Sequence, residues 1–317
     1  MRFLLWLAGG LLAGLLSVAG AFGQTALDQT ASDQTALDRP ACGGDTPCTV
    51  EGGEYYIHLP PGRKASKPKG AIFFLHGHRG KAINQISNKS FLNMADELGV
   101  AFIAVQGLEG TWSFPTAPHQ LRDEFSFFDR VLEDVSKRFG VKRDRTLLAG
   151  FSSGAFMTWY LACDDAERFS GYAPIAGAFW KPLPESCKTR EPYLFHVHGT
   201  SDKVVPLAGR ALGGGRWIQG DVYKSFDVWL HQASVSEDSA RHYTSGNLQC
   251  ERWSPKGGVL ELCLHDGGHS VRAEWIKRAW MELAKARGWP EYTTLTVHAN
   301  CQEHDDKLTD AEVTRAC

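Results

Sequence analysis

Three residues at the ends of apolar runs have the types and the chain order that acyl transfer needs. Ser152 is the centre of Gly150-Phe151-Ser152-Ser153-Gly154, which follows the apolar run Thr146–Ala149 and opens a helical stretch. A serine on such a sharp strand-to-helix turn is lifted clear of its neighbours, and the flanking glycines let the strand and helix backbones pass closely. The helix N-terminus then sets unpaired N–H groups and the positive end of its dipole beside the hydroxyl. A serine hydroxyl is a weak nucleophile without an oriented imidazole. Around nucleophile turns of this kind the chain order is serine, carboxylate, histidine. Asp202 lies in His198-Gly199-Thr200-Ser201-Asp202-Lys203-Val204-Val205-Pro206, just past the run Tyr193–Val197, and His269 closes His265-Asp266-Gly267-Gly268-His269. The expected catalytic set is Ser152 as nucleophile, His269 as base and Asp202 as the carboxylate that holds the imidazole. His265, at or near the end of its strand, is expected to be structural.

The negative oxygen of a tetrahedral intermediate needs donors. The run Ala71–Leu75 ends in His76-Gly77-His78-Arg79-Gly80, and the backbone N–H groups of His78 and Ser153 are the expected oxyanion hole. Trp112, after the run Val100–Val105, and Trp217, in the glycine-rich stretch Gly213–Trp217, are candidate aromatic walls for a substrate. Arg79 and Arg210 are read as solvated. Histidines cluster at 76 and 78, 196 and 198, 265 and 269, which raises a hydrolytic zinc site as the rival chemistry. There is no H-E-x-x-H, and the serine scheme already accounts for His269, so no metal and no organic cofactor are expected.

Elements must position these groups. Short continuous apolar runs at Ala71–Leu75, Val100–Val105, Thr146–Ala149, Tyr172–Ala176 and Tyr193–Val197 read as buried parallel strands. Glu54–Leu59 reads as a strand closed by Pro60-Pro61. Helical spacing is read over Asn84–Leu98, Asp123–Phe139, Gly154–Cys163, Asp221–His231 and Ala273–Arg287. Strands alternating with helices predict an α/β fold: a mostly parallel, twisted sheet with helices on both faces and its site at the carboxyl ends of the strands.

The remainder of the chain bears on compartment and partners. Met1-Arg2 precedes the apolar stretch Phe3–Leu16, and Ala21-Phe22-Gly23 offers small residues for cleavage before Gln24. Residues 1–23 are therefore expected to be a signal peptide, 24–41 a flexible spacer holding the fivefold-spaced repeat TALDQ-TASDQ-TALDR, 42–289 the catalytic domain and 290–317 a tail. The destination is secreted or periplasmic, with no stable membrane anchor after cleavage. An even count of eight cysteines in an exported chain reads as disulfides, and the simplest scheme joins sequence neighbours: Cys42–Cys48, Cys163–Cys187, Cys250–Cys263 and Cys301–Cys317. Thirty-four basic against 36 acidic residues leave a net charge of −2, which excludes a nucleic-acid partner held by phosphate neutralisation. Hydrophobic residues at 43% exclude wholesale disorder.

Taken together, Leu75-His76-Gly77, Gly150-Phe151-Ser152-Ser153-Gly154, His198 to Pro206 and Gly267-Gly268-His269-Ser270 make the chain resemble the exported α/β-hydrolase esterases of the polyhydroxybutyrate depolymerase-like or feruloyl esterase-like family. The resemblance runs from about Cys42 to Trp289. It implies the α/β-hydrolase fold, an acyl-enzyme mechanism and a small-molecule, oligomeric or polymeric ester as substrate. Two positions depart from the family: His78-Arg79-Gly80 stands where members often have Cys-Gly-Gly, and Ser270-Val271-Arg272 where they often have Trp-Pro-Gly. Both line the expected pocket. A serine peptidase of the same fold and a catalytically silent binding module are the alternatives.

Overall fold

The computed structural model describes residues 42–61 and 68–289. Its strands, in chain order, are β1 (Cys48–Val50), β2 (Gly53–His58), β3 (Ala71–Leu75), β4 (Ala101–Val105), β5 (Thr146–Phe151), β6 (Gly171–Ile175), β7 (Tyr193–Gly199), β8 (Arg210–Leu212), β9 (Trp217–Gln219), β10 (Arg241–Ser245), β11 (Leu248–Trp253) and β12 (Val259–His265). The helices are α1 (Ala82–Ile86), α2 (Lys89–Leu98), α3 (Glu124–Phe139), α4 (Ser153–Asp164), α5 (Val222–Gln232) and α6 (Ala273–Ala286). A ten-stranded sheet runs in the order β1-β2-β4-β3-β5-β6-β7-β12-β11-β10. From β4 to β12 neighbouring strands are parallel, and antiparallel pairs close both edges. This is the α/β-hydrolase fold, with the expected sheet and with helices on both faces.

The period of two along each strand divides the core. Ala71, Phe73 and Leu75 of β3 join one hydrophobic cluster, with α3, α4 and α5, while Ile72 and Phe74 join the other, with α2 and α6. α4 is apolar nearly all round and buried from Ser153 to Cys163, which makes it the rigid support behind the serine turn.

Several boundaries differ from the sequence reading, each for a local reason. The single helix expected over Asn84–Leu98 is two, because the Asn88 side chain accepts from Ser90 N and starts a new helix. The glycine-rich stretch before Trp217 is a turn inside the hairpin β8–β9 rather than a plain loop. β10 and β11 had no apolar run to announce them: β10 is exposed or half-buried throughout, and β11 mixes buried Leu248, Cys250 and Trp253 with exposed or half-buried Gln249, Glu251 and Arg252. Of the expected disulfides, Cys42–Cys48, Cys163–Cys187 and Cys250–Cys263 are formed. Cys301 and Cys317, like the expected signal peptide, spacer and tail, lie outside the described residues. No helix among the described residues is long and apolar enough to cross a membrane.

Candidate active site

The serine turn forms first from sterics. Ser152 has φ 55° and ψ −116°, a backbone conformation that a residue with a side chain adopts only when its surroundings impose it. Those surroundings are tight. A Cβ at Gly150 would lie 2.4 Å from Gly154 O, and one at Gly154 would lie 2.2 Å from Leu75 O, so neither position admits any other residue without displacing backbone. Ser152 N donates to Ile175 O of β6, and Phe156 N makes the first helical bond to Ser152 O. The N–H groups of Ser153, Gly154 and Ala155 therefore precede the first i→i−4 bond, and Ser153 N–H is available to an oxyanion.

The carboxylate and the imidazole come from adjacent strand ends. Asp202 follows β7 and is 4% exposed. Its Oδ1 accepts from Val204 N at 2.8 Å and Val205 N at 2.9 Å, and its Oδ2 lies 2.7 Å from His269 Nδ1. This orientation requires His269 Nδ1–H, which leaves Nε2 as the basic nitrogen. The His269 ring packs 4.6 Å from the ring of Phe151, the residue before Ser152. His265 is part of the frame: its Nδ1 accepts from Gly267 N, its carbonyl accepts from Thr200 N, and its ring packs on Trp275.

The loop after β3 is held by His76. That ring is buried, with Nδ1 2.9 Å from Gly77 O and Nε2 accepting from Gly107 N at 3.0 Å. Both nitrogens being used, and burial lowering its proton affinity, His76 is neutral and structural. It presents His78, whose side chain is exposed, to the cleft.

A cleft of about 310 Å³ opens over Ser152, Ser153 and His78. Its aromatic wall is Phe114, Phe156 and Trp180, which pack edge-on to one another at 5.3–5.7 Å between ring centroids. His119, Arg210 and Gln219 also line it. The two tryptophans expected as walls are elsewhere. Trp112 is fully buried, donates from Nε1 to His76 O and packs on Phe128, so it braces the loop from within the core. Trp217 lies against Gly213 with the Arg216 guanidinium over its ring, and is not among the lining residues. Arg210, read as solvated, is exposed but lines the cleft and donates to Gln219 Oε1 at 3.3 Å. Phe156 had a legible signal, four residues past Ser152 and so on the same helix face. Phe114 and Trp180 had none, being loop residues. Among the described residues, no group of three or more His, Cys, Asp or Glu side chains is placed to hold a metal ion.

The model of the Phospholipase/Carboxylesterase family matches residues 122–213, the segment that carries the serine turn and the acid loop. Feruloyl esterase C of Emericella nidulans is 26% identical over 242 residues, 73% of this chain and 83% of that one. The chain is a carboxylesterase of the α/β-hydrolase fold. The esterase is also 25% identical, over 72% of its length, to the bifunctional acetylxylan esterase/xylanase of Neocallimastix patriciarum, of which it covers 32%. Among solved structures, the acetyl xylan esterase from Aspergillus awamori superposes with a TM-score of 0.54 at 14% identity, covering 72% of this chain and 93% of that one, which is a likeness of fold. The disulfides of the esterase fit an extracellular protein.

Proposed function

We propose that the esterase is a secreted serine hydrolase that cleaves esters through Ser152, His269 and Asp202. The observation that carries this reading is the 2.7 Å contact of Asp202 Oδ2 with His269 Nδ1, on a ring packed beside the strained serine turn. In the proposed reaction the Ser152 hydroxyl adds to the ester carbonyl while His269 Nε2 takes its proton. The N–H groups of His78 and Ser153 receive the negative oxygen. The intermediate collapses, the alcohol leaves with the proton from His269, and an acyl-Ser152 remains. Water, deprotonated by His269, adds to that acyl group and releases the acid and free Ser152. Asp202 holds the tautomer and stabilises the imidazolium throughout.

The substrate class we propose is an aromatic-acid or acetyl ester of a plant polysaccharide. The rings of Phe114, Phe156 and Trp180 suit a flat acyl group, and the relatives that are similar over most of this chain are named as feruloyl and acetylxylan esterases. Residues 1–23 serve as export signal in this reading, and 42–289 as the catalytic domain.

A fluorophosphonate probe with peptide mapping, run beside Ser152→Ala, tests the mechanism. Labelling at Ser152 is expected, with turnover of the alanine variant lower by about 10⁵–10⁶-fold. Labelling elsewhere, or activity lost to EDTA and untouched by the probe, overturns it. Rates on methyl ferulate, 4-nitrophenyl acetate and hydroxybutyrate oligomers, compared side by side, test the substrate class, and preference for the last overturns it.

A further inference from the structure

Beneath the acid loop lie two histidines that the proposed chemistry does not use. His196 and His198 are two apart on β7, so both rings project from one face of the sheet, and both are fully buried. His198 Nε2 is 2.7 Å from Val205 O. A carbonyl only accepts, so that nitrogen carries the proton. His198 Nδ1 lies 3.0 Å from His196 Nε2. Burial lowers the proton affinity of both rings, so His198 Nδ1 is an acceptor and His196 Nε2 the donor. The chain of donors then ends at His196 Nδ1, a bare lone pair that is buried without a partner among the described residues. The opposite arrangement would place a charge on His198 and leave a buried N–H without an acceptor at His196, the costlier of the two defects. The pair therefore has one favourable set of tautomers.

Val205 is where this pair meets the catalytic carboxylate. Its carbonyl accepts from His198 and its N–H donates to Asp202 Oδ1, beside the N–H of Val204. The residue is 1% exposed, so water cannot replace the His198 donor. Asp202 Oδ2, which faces His269, is 3.7 Å from His198 Nε2. A ring that clamps Val205 at its carbonyl thus fixes the amide that aims Asp202. We propose that His198, locked in its Nε2–H tautomer by His196, is a positioning residue that sets the Asp202 carboxylate against His269 through Val205. The inference rests on the Ser152–Asp202–His269 reading.

The test uses the full chain, with turnover expressed per Ser152 labelled by fluorophosphonate and folding followed by circular dichroism. His198→Leu is expected to lower kcat by about tenfold to a hundredfold with KM within about twofold of the wild type. The low-field proton resonance of the Asp202–His269 hydrogen bond is expected to broaden or shift, a change that a purely structural role would not produce in the folded protein. His198→Gln, whose amide both donates and accepts, is expected to recover most of the lost kcat and the resonance. His196→Leu, which frees the tautomer but leaves the Val205 bond possible, is expected to lower kcat by about threefold or more. Wild-type kcat and an unmoved resonance in folded His198→Leu overturn the proposal. If that variant does not fold, wild-type kcat in His196→Leu overturns it, as does a His198→Gln with neither kcat nor resonance near the wild type. Failure of the probe to label wild-type Ser152 overturns the triad and this proposal together; labelling with unmoved variants overturns this proposal alone.

Discussion

Two buried polar clusters sit on this sheet and are built on opposite principles. At the carboxyl ends of β7 and β12, Asp202 is bound by two peptide N–H groups and one imidazole, and burial lowers the proton affinity of the rings behind it, His196 and His198. On β10–β12 and α6, Glu261 is fully buried among guanidinium groups. Arg278 Nη1 and Arg252 Nε each donate to it at 2.6 Å, Tyr243 adds its hydroxyl, and Arg252 also pairs with Glu282 at 2.6 Å. Burial alone would raise the Glu261 carboxyl, but the bonds and charges of Arg278 and Arg252 outweigh it and hold it below its ordinary range. The second cluster pairs its buried carboxylate with two guanidinium groups and a hydroxyl. The first spends its donors on aiming one carboxylate at His269 Nδ1, on a ring that packs 4.6 Å from the ring of Phe151, the residue before Ser152. A buried polar network becomes a site where one group stays unsatisfied toward an open cleft.

That contrast breaks if mutation moves the wrong property. Asp202→Asn should depress kcat by up to about 10⁴-fold, since an amide favours the wrong imidazole tautomer, with little change in KM. A comparable loss of activity per folded molecule in Glu261→Leu would erase the distinction between the clusters. Glu261→Leu should instead cost stability, about 3–5 kcal/mol by urea unfolding, because Arg278 and Arg252 lose their buried counter-charge, while kcat of the folded fraction stays within about twofold. Removing the neighbouring bridge with Cys250→Ser and Cys263→Ser should cost about 2–3 kcal/mol, the value for a loop of this length, and leave kcat unchanged.

The smallest effect sharpens the comparison by pH. The proton affinities of His196 and His198 are lowered on folding, so below their ordinary value, about 6.5, the unfolded chain binds more protons and stability falls as the pH drops. The carboxyl of Glu261 is also lowered, so its contribution is present above the ordinary glutamate value, about 4.3, and is lost only as the pH falls further. Melting temperature measured from pH 8 to pH 3 should therefore decline in two stages. In His196→Leu/His198→Gln the first stage should shrink, and in Glu261→Leu the second. A single decline confined to the carboxylate range would contradict the assignment of neutral buried histidines.

Much of the frame was legible because its signal is local. The strand Ala71–Leu75 was read at its true limits, since a strand buried on both faces must be apolar at every position. β8 to β11 were missed because edge strands and hairpins take polar residues, which periodicity cannot tell from loop. The three disulfides of the described residues follow the neighbour scheme because each joins segments the chain already brings back on itself, as β11 and β12 do with Cys250 opposite Cys263.

The sequence by itself determined which residues are the candidates to carry the reactive atoms. Gly150 and Gly154 report the serine turn because only glycine survives the approach of Gly154 O and Leu75 O. Asp202 and His269 stand at strand ends, where parallel topology collects loops on one edge. What surrounds those atoms was decided only in three dimensions. Trp112 and Trp217 have the composition of a substrate wall, yet one is core and the other covers a hairpin. Phe114 and Trp180, 66 positions apart in number, meet at 5.3 Å in one wall of the cleft. An aromatic side chain buries equally well in a core or in a pocket wall, so its type records the free energy of leaving water and not the side from which it is covered.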